Sequence, residues 1–501
     1  MNRRQFLGTM SLALTATFTD GIRRTLADAA PGMFAPVRVD ERDPVTHVIN
    51  RLTYGVTPAL YAHVRRIGAA AFIEEQLSPE SLDESEAVRR VHPFVDILNT
   101  NGGVLAERYD NHREVVSAAL IGNAALRAVY SDRQLYERMV HLFSDHLNIY
   151  IGKGPTLFLK IDDDRDTVRP HAMGVFRQLI GASAHSPAML IYLDNAQSTK
   201  DIPNENYSRE LMELHTLGVN GGYTETDVQE VARAFTGWSV ERERAEGGAI
   251  NFRFRGFMHD PGAKTILGET FARRGFEQDG ERVLDILAAH PSTARRISLK
   301  LARRFISDFP PDSVIEAGAV AYLASGGDIR QVLRVILTSQ EFWDAPPKFK
   351  QPYEYLISTL RPFNYDIQNP ERFLRAAHDP LDQMGNIPFT WPAPNGFPDV
   401  AGAWMSSLLP RWNVAVAVGG NGIPGAQADV APLVDLMTSE GVAIEPEPVI
   451  TYIARYLFGR SLTDAELGIV MDFVNTTPGN GEVQIAAGIS LLLATPAYQY
   501  R

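Results

Sequence analysis

Apolar residues recur every three to four positions along most of the chain, which is the spacing that one buried face of an α-helix requires. Early helices are predicted over 45–52, 58–67 and 69–77, and Thr57 followed by Pro58 gives the second a capping residue and a first-turn proline. Period-two alternation is confined to 251–255 and a short β-branched stretch at 264–267. The pattern therefore predicts a mainly α, multi-helical protein with a small β-hairpin near residues 251–267.

The densest mixture of polar, charged and aromatic residues lies between positions 204 and 238. Residues 204–217 are predicted to form one helix whose apolar stripe includes Leu214, with Glu210 and Glu213 along the edge of that stripe and His215 pointing away. Two carboxylates three positions apart hold a cation, share a proton or bind an arginine, and Arg209 is one available partner.

A glycine-rich turn follows this helix and leads into a second one. Thr224 and Asp227 form a variant capping box at its start, with Asp in place of the usual Glu or Gln. The two helices are therefore expected to form a tight hairpin.

A helix predicted over 133–149, capped by Asp132, has two chemically distinct faces. His141 and Asp145 share a polar face with Glu137, whereas His146 falls in the apolar stripe. A buried histidine either bonds a carbonyl oxygen or serves as a ligand or proton carrier. We expect this helix to pack on the 204–217 helix, with His146 and Glu210 sharing a hydrogen bond, an arginine or a cation.

The remaining candidates for chemistry are scattered along the chain. His259 and Asp260 lie at the predicted hairpin turn, where they suit a base with its orienting carboxylate, and Glu210 is the other catalytic candidate. Residues 152–166 are predicted to be a connector ending in a solvated acidic run, and residues 391–399 a long loop that is either a lid or a packed brace. The candidate ligands for a divalent metal are His146, Asp194, Glu210, Glu213 and His215.

The first residues carry an Arg-Arg pair, Arg3 and Arg4, before a short, moderately apolar run, in the manner of a twin-arginine export signal. A small-x-small pattern predicts cleavage near Ala29, so the mature protein is expected in the periplasm or secreted. Losing four arginines and two aspartates with residues 1–29 moves the formal charge from -12 to -14, which argues against nucleic acid as a partner.

Several common functions are excluded by what the sequence lacks. The chain has no cysteine, so disulfides, thiolate catalysis and cysteine-bound metals are ruled out. It has no phosphate-binding loop, no Gly-x-Ser-x-Gly elbow and no His-Glu-x-x-His pair. After the signal, residues 30–345 are predicted to form an N-terminal helical domain and residues 346–501 a C-terminal helical region with a Pro/Gly-rich loop. No integral membrane segment is predicted.

Several motifs in order identify a family resemblance: SPAMLIYLDN, NENYSRELMELHTLGVNGGYT, VARAFTGW, HDPGAKTILG and PNGFPD. Together they resemble the bacterial family catalogued as domain of unknown function 1800. The resemblance implies a mostly helical protein, often exported folded and often encoded beside a secreted family that resembles sulfatases and phosphatases. The family's Trp-His-Asn-His-Phe pattern corresponds here to residues 143–147, where Ser144 replaces the first histidine and His146 keeps the second.

Two functions remain open at this stage. The first is an accessory or scaffold partner of another exported protein, for which the sulfatase- or phosphatase-like neighbour is the candidate. The second is a periplasmic metal-dependent enzyme, a hydrolase or oxidoreductase, whose helices supply carboxylate and imidazole ligands. An open pocket containing three or more of the named side chains favours the enzyme, and the same side chains paired off internally favour the accessory protein.

Overall fold

A computed structural model describes residues 15–243 and 248–501. Arg3 and Arg4 of the predicted export signal lie outside these residues. Helices dominate, joined by short turns. The α-helices before position 150 are α1 Thr15–Asp28, α2 Pro44–Leu52, α3 Pro58–Ile67, α4 Ala69–Gln76, α5 Ser85–Val91, α6 Val95–Leu98, α7 Gly102–Tyr109, α8 Arg113–Tyr130 and α9 Gln134–His146.

The middle of the chain continues in the same way but contains two π-helical segments, Asp163–Val168 and Leu211–Thr216. Its α-helices are α10 Thr156–Asp162, α11 Arg169–His171, α12 Phe176–His185, α13 Pro187–Tyr192, α14 Glu205–Glu210, α15 Glu225–Ala234, α16 Glu277–Ala289, α17 Pro291–Phe305, α18 Asp312–Ala324, α19 Ile329–Leu337 and α20 Gln340–Trp343.

The last part of the chain is also helical. Its α-helices are α21 Pro352–Leu360, α22 Pro370–Gln383, α23 Leu408–Gly419, α24 Ala431–Ser439, α25 Pro446–Phe458, α26 Asp464–Thr476, α27 Gly481–Ala494 and α28 Pro496–Gln499. The prediction of a mainly α, multi-helical fold is confirmed. Among the described residues, none of the helices combines the length and the apolar character that crossing a membrane requires.

Three antiparallel strand pairs supply the β-structure of the described residues. They are β1 Trp238–Glu243 with β2 Ala249–Phe254, β3 Lys264–Ile266 with β4 Glu269–Phe271, and β5 Tyr365–Ile367 with β6 Ala426–Ala428. Small antiparallel pairs near 251–267 are confirmed, but the two predicted stretches pair with other strands, not with each other. Each finds its partner across a shorter connection, so His259 does not lie at a hairpin tip.

Capping residues in the sequence correctly predict the starts of two helices but not of a third. Thr57 caps α3, and Thr224 and Asp227 form the expected capping box on α15. The prediction that Asp132 caps the 133–149 helix is wrong. Helix α9 starts at Gln134, and the N–H of Arg133 bonds the hydroxyl oxygen of Ser131 and a carboxylate oxygen of Glu84. The side chain of Asp132 is therefore free for another contact.

The acidic run at 162–166 is not a solvated connector. Asp163 and Asp164 are buried in the π-helical segment that follows α10. Lys160 pairs with Asp163, and Arg169 bridges Asp164 and Glu137 at 2.8 and 2.9 Å. Buried carboxylates need such partners because an unpaired charge in the interior is costly.

One large apolar core includes side chains from before and after position 346, among them Leu52, Phe143, Ile357 and Ile453. Helix α1 contributes Ile22 to the same core. The division into a 30–345 domain and a 346–501 region stays a prediction.

Candidate functional site

Three segments of the family pattern meet where the C-terminal end of α9 packs on the π-helical segment 211–216: residues 143–147, the NENYSRELMELHTLGVNGGYT segment and the PNGFPD segment. Nε2 of His146 donates a hydrogen bond of 2.9 Å to the main-chain oxygen of His215. The two imidazole rings lie edge to face with centroids 6.0 Å apart, and both side chains are almost completely buried. The expected packing of these two elements is present, but the bonding partner of His146 is the main chain of His215, not Glu210.

The π-helical segment explains why His215 does not point away from the core. In a π-turn each N–H bonds the oxygen five residues earlier, as the N–H of Leu217 does with Met212. The wider turn rotates the residues that follow, so His215 is buried and Leu214 is half exposed. An uninterrupted α-helix predicts the opposite, with Leu214 buried and His215 exposed.

The carboxylates at the start of this segment are not held by Arg209, which instead bonds Glu225 at 3.0 Å and lies near Glu205. Glu210 is half-buried and forms no ion pair within the described chain. Burial, and then the charge of Glu213, raises the pKa of Glu210. Of the partners expected for this pair, an arginine on the same helix or on another one, Arg209 does not bond either carboxylate, because its long side chain reaches across to α15.

Next to the two histidines lie two charged groups that lack close partners. Oδ2 of Asp145 accepts no hydrogen bond and lies 3.6 Å from Nε2 of His141, and the ammonium of Lys300 on α17 donates none within the described chain. Burial raises the pKa of Asp145 to about 7 and lowers that of Lys300 to about 7. Burial, with the nearby charge of Lys300, lowers the pKa of His215 to about 3 and that of His146 well below its usual value. Both imidazoles are consequently neutral at physiological pH.

The 391–399 loop lies directly against this centre as a packed brace. Asn148 donates to the main-chain oxygens of Trp391 and Ala393 at 2.9 and 2.7 Å. Gly396 has a φ of +70°, and a Cβ there would collide with the main chain of Asp145. A side chain at Gly396 is excluded by both the backbone conformation and the available space.

Beyond this loop lies a buried ionic network that sequence inspection missed. Asp399 pairs with Arg304 at 3.0 Å and with Lys348 at 3.1 Å. Glu354 contacts Arg138 and lies 3.0 Å from Arg501. The PNGFPD motif includes Asp399, but the sequence gives no signal for the partners in this network because they come from distant parts of the chain.

His259 and Asp260 face different partners and do not act as a pair. His259 is buried, with Nδ1 donating to the main-chain oxygen of Thr236 at 2.8 Å and Nε2 lying 3.2 Å from Asp279. Asp260 accepts a hydrogen bond of 2.7 Å from Arg233, which is the main cause of its lowered pKa. The interpretation of these residues as a base with its orienting carboxylate is therefore not supported by their contacts.

Asp194 is also separate from the histidine pair in its contacts. It adopts a left-handed backbone conformation with φ +61°, and its carboxylate bonds the ammonium of Lys153 at 2.9 Å. In residues 15–243 and 248–501, no group of three or more His, Asp or Glu side chains is arranged to hold a metal ion. The five predicted ligands thus do not converge on one centre.

Comparison with known protein families shows which family the chain belongs to. The model of the family described as "Protein of unknown function (DUF1800)" matches residues 47–500, so the protein belongs to this family. No curated protein and no solved structure matches the chain. The match covers every signature segment that meets around His146 and His215.

Proposed function

We propose that this protein is an exported accessory protein that binds another exported protein through an apolar patch beside the 391–399 loop. The patch consists of the side chains of Phe309, Met405, Leu408 and Leu409. Phe309 is 85% exposed, Leu409 56% and Met405 50%. Large apolar side chains grouped on a surface mark protein interaction sites.

Two segments distant in sequence are joined beside these side chains. The carboxylate of Asp308, the neighbour of Phe309, accepts a hydrogen bond of 2.7 Å from the N–H of Ala401. The N–H of Met405 in turn bonds the oxygen of Ala401 at 3.2 Å. Ala401 and Trp391 pack against a small buried apolar cluster of Phe349, Phe397 and Trp404. The patch therefore rests on an ordered base, which lowers the entropy lost when a partner binds.

The internal pairing of His146, Asp194, His259 and Asp260 supports this accessory role, whereas Glu210 has no ion pair within the described chain. His146 bonds the main chain, Asp194 bonds Lys153 and Asp260 bonds Arg233. Asp279, which would have a raised pKa from burial alone, has a lowered one because His259 and Lys264 bond it. Side chains committed to such bonds hold helices together and are not available to a substrate.

The proposed partner is the exported sulfatase- or phosphatase-like protein that the family resemblance associates with such chains. The test is to purify the mature forms of both proteins and to measure the mass of their mixture by size-exclusion chromatography with light scattering. A complex with the summed mass supports the proposal. Separate elution at micromolar concentrations of both proteins would reject this partner.

The metal-dependent enzyme is the second candidate, and one observation favours it. Nδ1 of His146 and Nε2 of His215 are buried without a hydrogen bond, on rings whose centroids are 6.0 Å apart. A protein metal site normally has three or more ligands, which the described residues do not bring together here, and the charge of Lys300 opposes a cation. The residues therefore do not fit a conventional site. Elemental analysis of natively exported protein tests this. If the wild type contains stoichiometric metal and both His146→Ala and His215→Ala lack it, the metal-dependent enzyme becomes the favoured function.

A further inference from the structure

A large cavity lies on another part of the molecule and contains none of the candidate site residues discussed above. Its volume is about 990 Å³, which falls within the range of small-molecule binding sites. Its lining comes from helices α3, α4 and α5, the end of α8, and strands β5 and β6. The cavity thus lies between segments before and after position 346.

Most charged groups in its wall already have partners. Arg90 bonds Glu86 and Asp366 and stacks on the ring of Tyr130 at 4.3 Å. Arg361 points inward and donates to the main-chain oxygens of Gly55, Ala128 and Val129. These arginines hold the wall together and are not available to bind an anion.

Three polar side chains in the wall have no partner within the described chain. They are the carboxylate of Asp132 and the amides of Gln368 and Gln427, and all three are solvent-exposed. Asp132 is the residue that the sequence predicts as a helix cap and that the structure leaves free. Burial by the cavity walls raises the pKa of Asp132, although the charge of Arg361 acts in the opposite direction.

The charge of the wall determines which ligands it favours. Its five carboxylates outnumber its three arginines, so the net charge is -2 with His63 neutral. His63 donates to Glu75 at 2.9 Å and accepts from Arg66. Among the five carboxylates, Asp132 and Asp429 have no cationic partner in contact among the described residues, and Asp429 accepts hydrogen bonds from Asn364 and Ala431. Asp132 is therefore the carboxylate that has neither a cation nor a hydrogen-bond donor in contact within this part of the chain. A cationic ligand would satisfy this charge, and ligand hydroxyl or amine groups would satisfy the two amides.

We propose that this cavity binds a small organic cation that has a primary ammonium group and additional hydrogen-bond donors. The ammonium group contacts Asp132, and the other donors reach Gln368 and Gln427. A polyamine and an amino sugar both have this chemistry. The proposal is independent of the accessory role, because the cavity and the apolar patch share no residue.

Isothermal titration of the purified full chain with spermidine and with glucosamine tests the proposal, and N-acetylglucosamine provides the neutral counterpart. We expect saturable binding of at least one amine, and the amine that binds identifies the ligand source. Asp132→Asn should weaken that binding at least about tenfold. The matched control is Asp379→Asn, which removes an aspartate that is 85% exposed and not in the cavity wall.

Three results would overturn the proposal: no saturable binding of either amine, equal affinity of Asp132→Asn and wild type, or N-acetylglucosamine binding as tightly as glucosamine. Melting temperatures of both variants confirm that they are folded. Gln427→Ala supplies a second variant in the same wall, and it should weaken binding without removing a charge.

Discussion

Nε2 of His146 lies 2.9 Å from the main-chain oxygen of His215, so the end of α9 is fastened to a π-helical segment by a side chain-to-backbone bond. A π-turn leaves main-chain groups without their usual helical partners, and a buried oxygen without a partner is costly. The histidine satisfies that oxygen from a neighbouring helix. The residue therefore braces the place where the signature motifs meet.

Replacing His146 by Ala should lower the free energy of unfolding by about 2–4 kcal/mol, because it leaves a cavity and an unpaired buried oxygen. Urea denaturation measures this. His378→Ala is the control, since that side chain is 58% exposed and its loss should cost less than about 0.5 kcal/mol. Equal stability of His146→Ala and wild type would show that the contact is not a brace.

A second prediction concerns the pH dependence caused by Asp145. Its pKa of about 7 in the folded protein exceeds the unfolded value of about 4, so its contribution to stability is fully present below pH 4 and is lost as pH rises to about 7. Lys300 adds little pH dependence within this window, because a lysine pKa lowered from 10.5 to about 7 makes stability vary with pH mainly between those two values. Arg304, Asp399 and Lys160 also act on Asp145 through their charges, and His141 lies 3.6 Å away.

In Asp145→Asn, the loss of unfolding free energy between pH 4.5 and 7.5 should be about 2 kcal/mol smaller than in wild type. Denaturant titrations at the two pH values measure it. Asp379→Asn, at an exposed position, should keep the wild-type slope. Identical slopes for wild type and Asp145→Asn would contradict the raised pKa.

The buried ionic network gives a third prediction. Arg138 and Arg501 hold the pKa of Glu354 well below its usual range, although burial alone would raise it. Glu354→Gln should therefore cost about 3–5 kcal/mol at pH 7, because it leaves two buried guanidinium groups without their carboxylate.

Because the pKa of Glu354 is lowered on folding, its contribution to the free energy of unfolding is present above pH 4 to 5 and is lost at lower pH. The free energies of unfolding of Glu354→Gln and wild type should therefore become similar in acid. Glu371→Gln, at a 73% exposed position, provides the control in chemical denaturation at both pH values. A cost at pH 7 no larger than that of this control would refute the role of Glu354.

Sequence periodicity predicts the helices because each one is organised by local spacing and capping, as at Thr57 and Thr224. It does not predict the orientation of His215, because a single π-turn changes which residues face the core. Nor does it predict the partners of Glu354 or Asp399, which lie 51 to 216 residues away along the chain. The family motifs locate the centre correctly, but spacing alone cannot assign the bonds within it.

Export stays a prediction that the described residues do not address. Replacing Arg3 and Arg4 together by Lys should leave the protein in the cytoplasm with its first 29 or so residues attached, because the twin-arginine pair is the signal that the export route reads. Cell fractionation followed by mass spectrometry measures both properties. Normal amounts of cleaved protein in the periplasm would refute the assignment.

The central claim is that the apolar patch binds an exported partner, and the most direct measurement is the dissociation constant of that complex for Phe309→Glu. The variant places a charge in the most exposed apolar position of the patch, so the account predicts at least about tenfold weaker binding. Val88→Glu, a matched change at a 54% exposed valine on α5, should bind like wild type. Unchanged affinity for Phe309→Glu, or an equal loss in both variants, would contradict the claim.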